Sequence, residues 1–128
     1  FAFSQTGEIS VQVTGFKNNK GLVHIVLFNQ SKGFPTEYEH GLIFRSLPID
    51  TSIISVTFDS LSYGEYALSV LHDENENEQM DTNFFGFRQE GYGVSNNVNP
   101  VISYPRFDDA LFSFNQSRKT IEIILNYR

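Results

Sequence analysis

The residues Asp73-Glu74-Asn75-Glu76-Asn77-Glu78-Gln79-Met80-Asp81 put an oxygen-bearing side chain at every second position and close on an aspartate. In a calcium loop the first, third, fifth and ninth residues offer carboxylate or amide oxygens and the seventh its backbone carbonyl, so that hard oxygens wrap a hard cation. Here that assigns ligands to Asp73, Asn75, Asn77, Gln79 and Asp81 and makes Ca²⁺ the expected cofactor. Five carboxylates in so short a run repel one another unless a cation or salt neutralises them. Two positions depart from the standard loop. Its sixth residue should be Gly and is Glu78, and its twelfth should be a bidentate Glu and is Phe84, so a further oxygen would come from Asn83, Glu90 or water.

A second stretch with binding chemistry follows. Phe84-Phe85-Gly86-Phe87-Arg88-Gln89-Glu90-Gly91-Tyr92-Gly93 mixes aromatics with glycines and leads into Ser95-Asn96-Asn97. Flat rings beside amides suit a sugar or peptide surface, with Phe84, Phe85, Phe87, Tyr92, Asn96 and Asn97 as the binding residues. The same rings could instead cover the open end of a β core, with the glycines permitting positive φ. A hydrolase-type enzyme would use His72 as base with Glu90 or Tyr92 assisting, and would need them to converge on a concave pocket. No Ser or Cys motif supplies a nucleophile, and no spacing links His24, His40 and His72 as metal ligands, so catalytic residues are set at none.

Composition bounds the remaining classes. The chain has 128 residues, 40% hydrophobic, with 13 Phe and 6 Tyr, enough for one packed domain. Removing the five carboxylates of the acidic loop from the net charge of −6 leaves −1. Acidity is therefore local, and a nucleic-acid partner, which needs a basic footprint, is excluded. There is no Cys, hence no disulfide or thiolate chemistry. No stretch approaches the roughly 18 apolar residues of a membrane-spanning helix. Phe1-Ala2-Phe3-Ser4 is apolar with small residues at Ala2 and Ser4, like the tail of a secretory signal peptide. Residues 1–5 are thus expected to be a signal remnant or disordered start, residues 6–128 the domain, and the location periplasmic or extracellular.

The elements that must position these residues have period two. Ile9, Val11 and Val13 alternate with polar residues, and Leu22 to Phe28 is apolar on both faces, as in a central strand. Leu42 to Leu47, Ile53 to Phe58, and Gly64 to Leu71 are further strands, the last putting Tyr66, Leu68 and Val70 on one face and running straight into the acidic loop. Gln30 to Gly41 reads as loop or one helical turn, and Thr82 to Pro105 as a long irregular connection. Ala110 to Phe114 and Thr120 to Leu125 form a final pair across Asn115-Gln116-Ser117. About seven short strands with no convincing helix give an all-β class, an antiparallel two-sheet sandwich. His72 continues the Tyr66, Leu68, Val70 register and should sit buried, bonding the loop that follows.

Val13-Thr14-Gly15-Phe16 with Lys20-Gly21, Phe58-Asp59-Ser60-Leu61 with Gly64-Glu65-Tyr66, His72-Asp73-Glu74-Asn75-Glu76-Asn77, and Glu90-Gly91-Tyr92-Gly93-Val94-Ser95-Asn96-Asn97 together resemble the domain of unknown function 2141 family, uncharacterised exported bacterial proteins. The resemblance spans nearly the whole chain. It implies export and a transthyretin-like or immunoglobulin-like sandwich, and it brings no established activity. The family's usual pattern has Gly where Glu78 stands and Pro near Phe87-Arg88. The expectation is an exported, non-enzymatic binding module, with an unknown protein or a glycan as partner.

Overall fold

The computed structural model describes residues 5–75, 91–98 and 105–127, and the leader-like residues 1–4 fall outside them. Among the described residues eight strands form two sheets, neither closed into a barrel. The first sheet has the order β4 (Ile54–Ser62), β1 (Thr6–Thr14), β8 (Arg118–Ile124). In the second, β3 (Ile43–Pro48), β2 (Leu22–Phe28), β5 (Gly64–Asp73) and β6 (Tyr92–Val94) lie side by side, and β7 (Phe112–Phe114) also pairs with β5. A 3-10 turn spans Tyr38–His40, a second covers Ser95–Asn97, and a single helical turn, α1, covers Phe107–Ala110.

The period-two pattern sends alternate side chains into the space between the sheets. Ile9, Val11 and Val13 of β1 meet Val23, Ile25 and Leu27 of β2 and Tyr66, Leu68 and Val70 of β5, with Phe58, Phe114 and Ile123 filling between them. Each large side chain fully buried here stabilises the fold by about 1.5–3 kcal/mol. The other face of the second sheet is covered too. Ala67, Tyr92, Val94 and Ala110 form a smaller core there, closed by Phe34, Val98 and Phe107. Two covered faces explain why β2 and β5 read as near-continuous apolar runs.

Three features differ from the sequence reading. Residues 110–114 and 120–125 do not pair with each other: β7 runs antiparallel on the edge of β5, with Tyr66 opposite Phe112, while β8 runs parallel to β1, with Val11 opposite Ile121. The turn between them switches sheets, so that β8 covers the edge of β1 and β7 that of the start of β5. The β1–β8 contact is the one parallel pairing among the described strands. Tyr92–Val94 is a strand inside the stretch read as irregular, and three residues are too few to show a period.

Ser95, Asn96 and Asn97 complete backbone ladders with their side chains. β7 covers residues 64–66 of β5 and β6 covers residues 69–71, leaving a gap. The Ser95 hydroxyl fills it, accepting the Leu68 N–H at 2.9 Å and donating to the Ala110 carbonyl at 2.5 Å. The Asn96 amide donates to the carbonyls of Asp109 and Leu111. Asn97 stands beside the outer edge of β8 like a one-residue strand: its amide donates to the Glu122 carbonyl at 3.1 Å and accepts from the Ile124 N–H at 2.9 Å. Both asparagines have left-handed backbones, φ 66 and 52, which Asn tolerates better than most residues.

Asn97→Gly keeps the left-handed backbone accessible and removes the amide. It should lower stability by about 1–2 kcal/mol, two exposed hydrogen bonds being lost. Hydrogen exchange at the Ile124 amide should accelerate, and unchanged exchange there would show that Asn97 does not hold the edge.

Candidate functional site

The end of β5 carries the chemistry. Strand alternation points His72 inward and Asp73 outward, and both side chains are completely buried, 0% exposed. Burying a polar group is costly unless it is hydrogen-bonded.

His72 is hydrogen-bonded through both nitrogens. The ring Nε2–H donates to the Lys20 carbonyl at 2.7 Å, because a carbonyl can only accept. Nδ1, 2.7 Å from the Tyr127 hydroxyl, then accepts from that O–H, and the Tyr127 oxygen accepts the Lys17 N–H at 3.0 Å. The tautomer follows from these partners. The rings of Phe16 and Tyr127 stand edge-on to His72 at 5.7 and 5.8 Å. Burial pushes the Tyr127 phenol up from 10.0; the Lys17 N–H offsets part of this, and the negative charge of Glu74 adds to it. The phenol is therefore kept as the proton donor His72 requires. The sequence reading placed the partners of His72 in the following loop; its backbone N–H does bond the Gly91 carbonyl, but its side chain binds the turn before β2 and the C-terminal segment.

Asp73 turns to β2. Its Oδ2 accepts from His24 Nε2 at 2.8 Å, and His24 is itself only 1% exposed. The His24 ring is stacked with Phe44 (5.4 Å between centroids, 30° between planes) and lies 6.1 Å from Tyr38. His24 sits opposite Leu71 and Leu22 opposite Asp73, so the His24–Asp73 bond is a diagonal contact on the sheet's outer face. No spacing in the sequence links residues 49 apart, and this pair was missed.

Glu74 and Asn75 follow. Glu74 Oε1 accepts from the Asn18 amide at 2.6 Å, and Asn18 Oδ1 in turn accepts the Lys20 N–H. The turn can lie this close only because Gly21 has φ 69 and no side chain; a Cβ there would collide with the Asp73 carbonyl. Asn75 is exposed. The remaining expected ligands, Asn77, Gln79 and Asp81, lie outside the described residues, as do Phe84, Phe85, Phe87 and Glu90. Tyr92 is buried, 3% exposed, in the outer core, its backbone bridged to Asn126. Tyr92, Asn96 and Asn97 are thus not brought together as an open surface: the ring is packed, and the two amides bind backbone. A separate group of donor atoms, from Glu37, Glu39 and His40, lies within 4.8 Å on the 3-10 turn, at the surface.

A sandwich whose buried polar residues are bound into its own framework defines a β-sandwich module of the all-β class. The family described as an uncharacterised protein conserved in bacteria, DUF2141, matches residues 11–122, and the chain belongs to it. No curated protein and no solved structure matched. Among the described residues no helix is long and apolar enough to cross a membrane.

Two variants test this framework. Asp73→Ala should cost about 2 kcal/mol in chelator, as read by chemical denaturation, by leaving the His24 donor buried and unpaired. Tyr127→Phe removes the donor to His72. Because the folded-state pKa of Tyr127 is raised, the stability it adds is fully present below 10.0 and is lost as pH climbs through the raised value. Wild type should therefore weaken in alkali more steeply than Tyr127→Phe, as followed by the denaturation midpoint against pH.

Proposed function

We propose that the chain is an exported, non-enzymatic binding module whose acidic loop is stabilised by Ca²⁺. The observation that carries the non-enzymatic reading is the state of His72. A general base must present a nitrogen to substrate, and both nitrogens of His72 are occupied inside the fold. Loss of either bond would leave a buried polar group unpaired, so the arrangement favours retention of His72 as a structural residue.

The calcium reading rests on the oxygen spacing from Asp73 to Asp81 and on the rigid start of that loop, with Asp73 held by His24 and Glu74 by Asn18. A loop whose first residues are already ordered has less entropy to lose when a cation gathers the rest. Asp73 serves the sheet first, so the variant that isolates the cation's effect is Asp81→Asn, at the far end of the loop.

Thermal unfolding in millimolar Ca²⁺ and in chelator provides the test. Ca²⁺ should stabilise wild type by about 2.7 kcal/mol at a hundredfold excess over Kd. Asp81→Asn should keep the chelator baseline and lose most of the gain. An unchanged wild-type curve rejects the calcium reading. Hydrolysis of model esters, amides or glycosides by wild type, abolished in a folded His72→Gln variant, would reject the non-enzymatic one.

A further inference from the structure

We propose that the recess between the β1–β2 and β3–β4 connections is a binding site for a neutral saccharide ring. This deepens the binding-module reading and rests on it. The recess holds about 240 Å³ and is lined from one side by Phe16, Asn18 and Asn19 and from the other by Ile49 through Ser52. It is small for a ligand pocket, of a size for one sugar ring rather than a drug-sized molecule.

Its chemistry divides into fixed walls and available groups. Phe16, half-buried and braced against the buried His72 ring, offers the firm apolar surface for the C–H face of a sugar, backed by Ile49 of the inner core. Asn18 uses its amide on Glu74 and its carbonyl on Lys20, and the Thr51 hydroxyl donates to the Ile53 carbonyl at 2.6 Å. These four residues shape the recess. Asn19, Asp50 and Ser52, by contrast, show no side-chain hydrogen bond or ion pair among the described residues, and all three are exposed. They offer an amide, a carboxylate and a hydroxyl to one small space, the donor and acceptor mix that vicinal hydroxyls need.

Electrostatics narrows the ligand. Asp50 is the single charged residue in the lining, with Glu74 bonded to Asn18 beside it and no cationic side chain lining the recess. Phosphate, sulfate and uronic acids are therefore disfavoured, and an uncharged polyol ring is the class that fits. Walls held by buried partners lose little entropy on binding. A ligand of about a dozen heavy atoms still binds weakly, with Kd on the order of 1 mM. Of the run at residues 84–97 that the sequence offers for sugar stacking, the described residues 91–97 do not line the recess.

Amide chemical-shift mapping of the ¹⁵N-labelled protein tests the site, with neutral hexoses and N-acetylhexosamines titrated well above 1 mM and glucuronate as the charged probe. At least one neutral sugar should shift amides at residues 16–19 and 49–52, with glucuronate shifting them far less. Asp50→Ala and Asn19→Ala should each weaken that binding about tenfold, as for a lost hydrogen bond, and leave the melting temperature unchanged. Silence with every neutral sugar, equal binding of glucuronate, or shifts mapping only to residues 84–97 would each overturn the assignment. Failure of the module reading would be seen separately, as turnover that a folded His72→Gln variant loses.

Discussion

Two polar side chains at the last two positions of β5 are forced to opposite faces of a sheet that is buried on both sides. That constraint organises the molecule. Burying an imidazole and a carboxylate is unfavourable by several kcal/mol unless each finds partners, so the parts supplying those partners must be in place for β5 to end where it does. His72 requires the Lys20 carbonyl and the Tyr127 hydroxyl. Asp73 requires His24. One dipeptide thereby ties together the turn before β2, the strand β2 itself and the C-terminal segment, places far apart in sequence.

The edges are handled by the same principle with smaller groups. Ser95 fills the break between β6 and β7 along β5, and Asn97 substitutes for a neighbouring strand beside β8. Sheet edges attract other chains, and side chains that satisfy edge amides and carbonyls blunt that hazard without adding a strand. At the Tyr92–Asn126 bridge the two sheets also join through backbone, so the sandwich is closed at the end where the acidic loop leaves β5.

That end also carries the recess proposed above as a binding site. Phe16 rests on His72, and Asn18 rests on Glu74, so the recess beside them is built directly on the polar framework. A stiff framework under short connections is the usual arrangement for recognition, because ordering is completed during folding rather than at the moment of contact. The carboxylates that begin the acidic loop are likewise oriented by partners in β2 and the β1–β2 turn.

The sequence by itself determined the class of fold. Alternation at Ile9, Val11 and Val13, the two-sided apolar run of β2 and the Tyr66, Leu68, Val70 register are local signals of burial, and all became strands facing the core. It also determined that His72 is buried, since register alone fixes which face a residue occupies. The His24–Asp73 bond, the role of Asn97 and the separation of β7 from β8 into different sheets were decided only by tertiary structure. Each depends on which strands become neighbours, and a period of two is silent about neighbours. The same is true of Asp73, whose spacing within the acidic run suggests a metal ligand, while its burial beside β2 gives its carboxylate a partner within the fold.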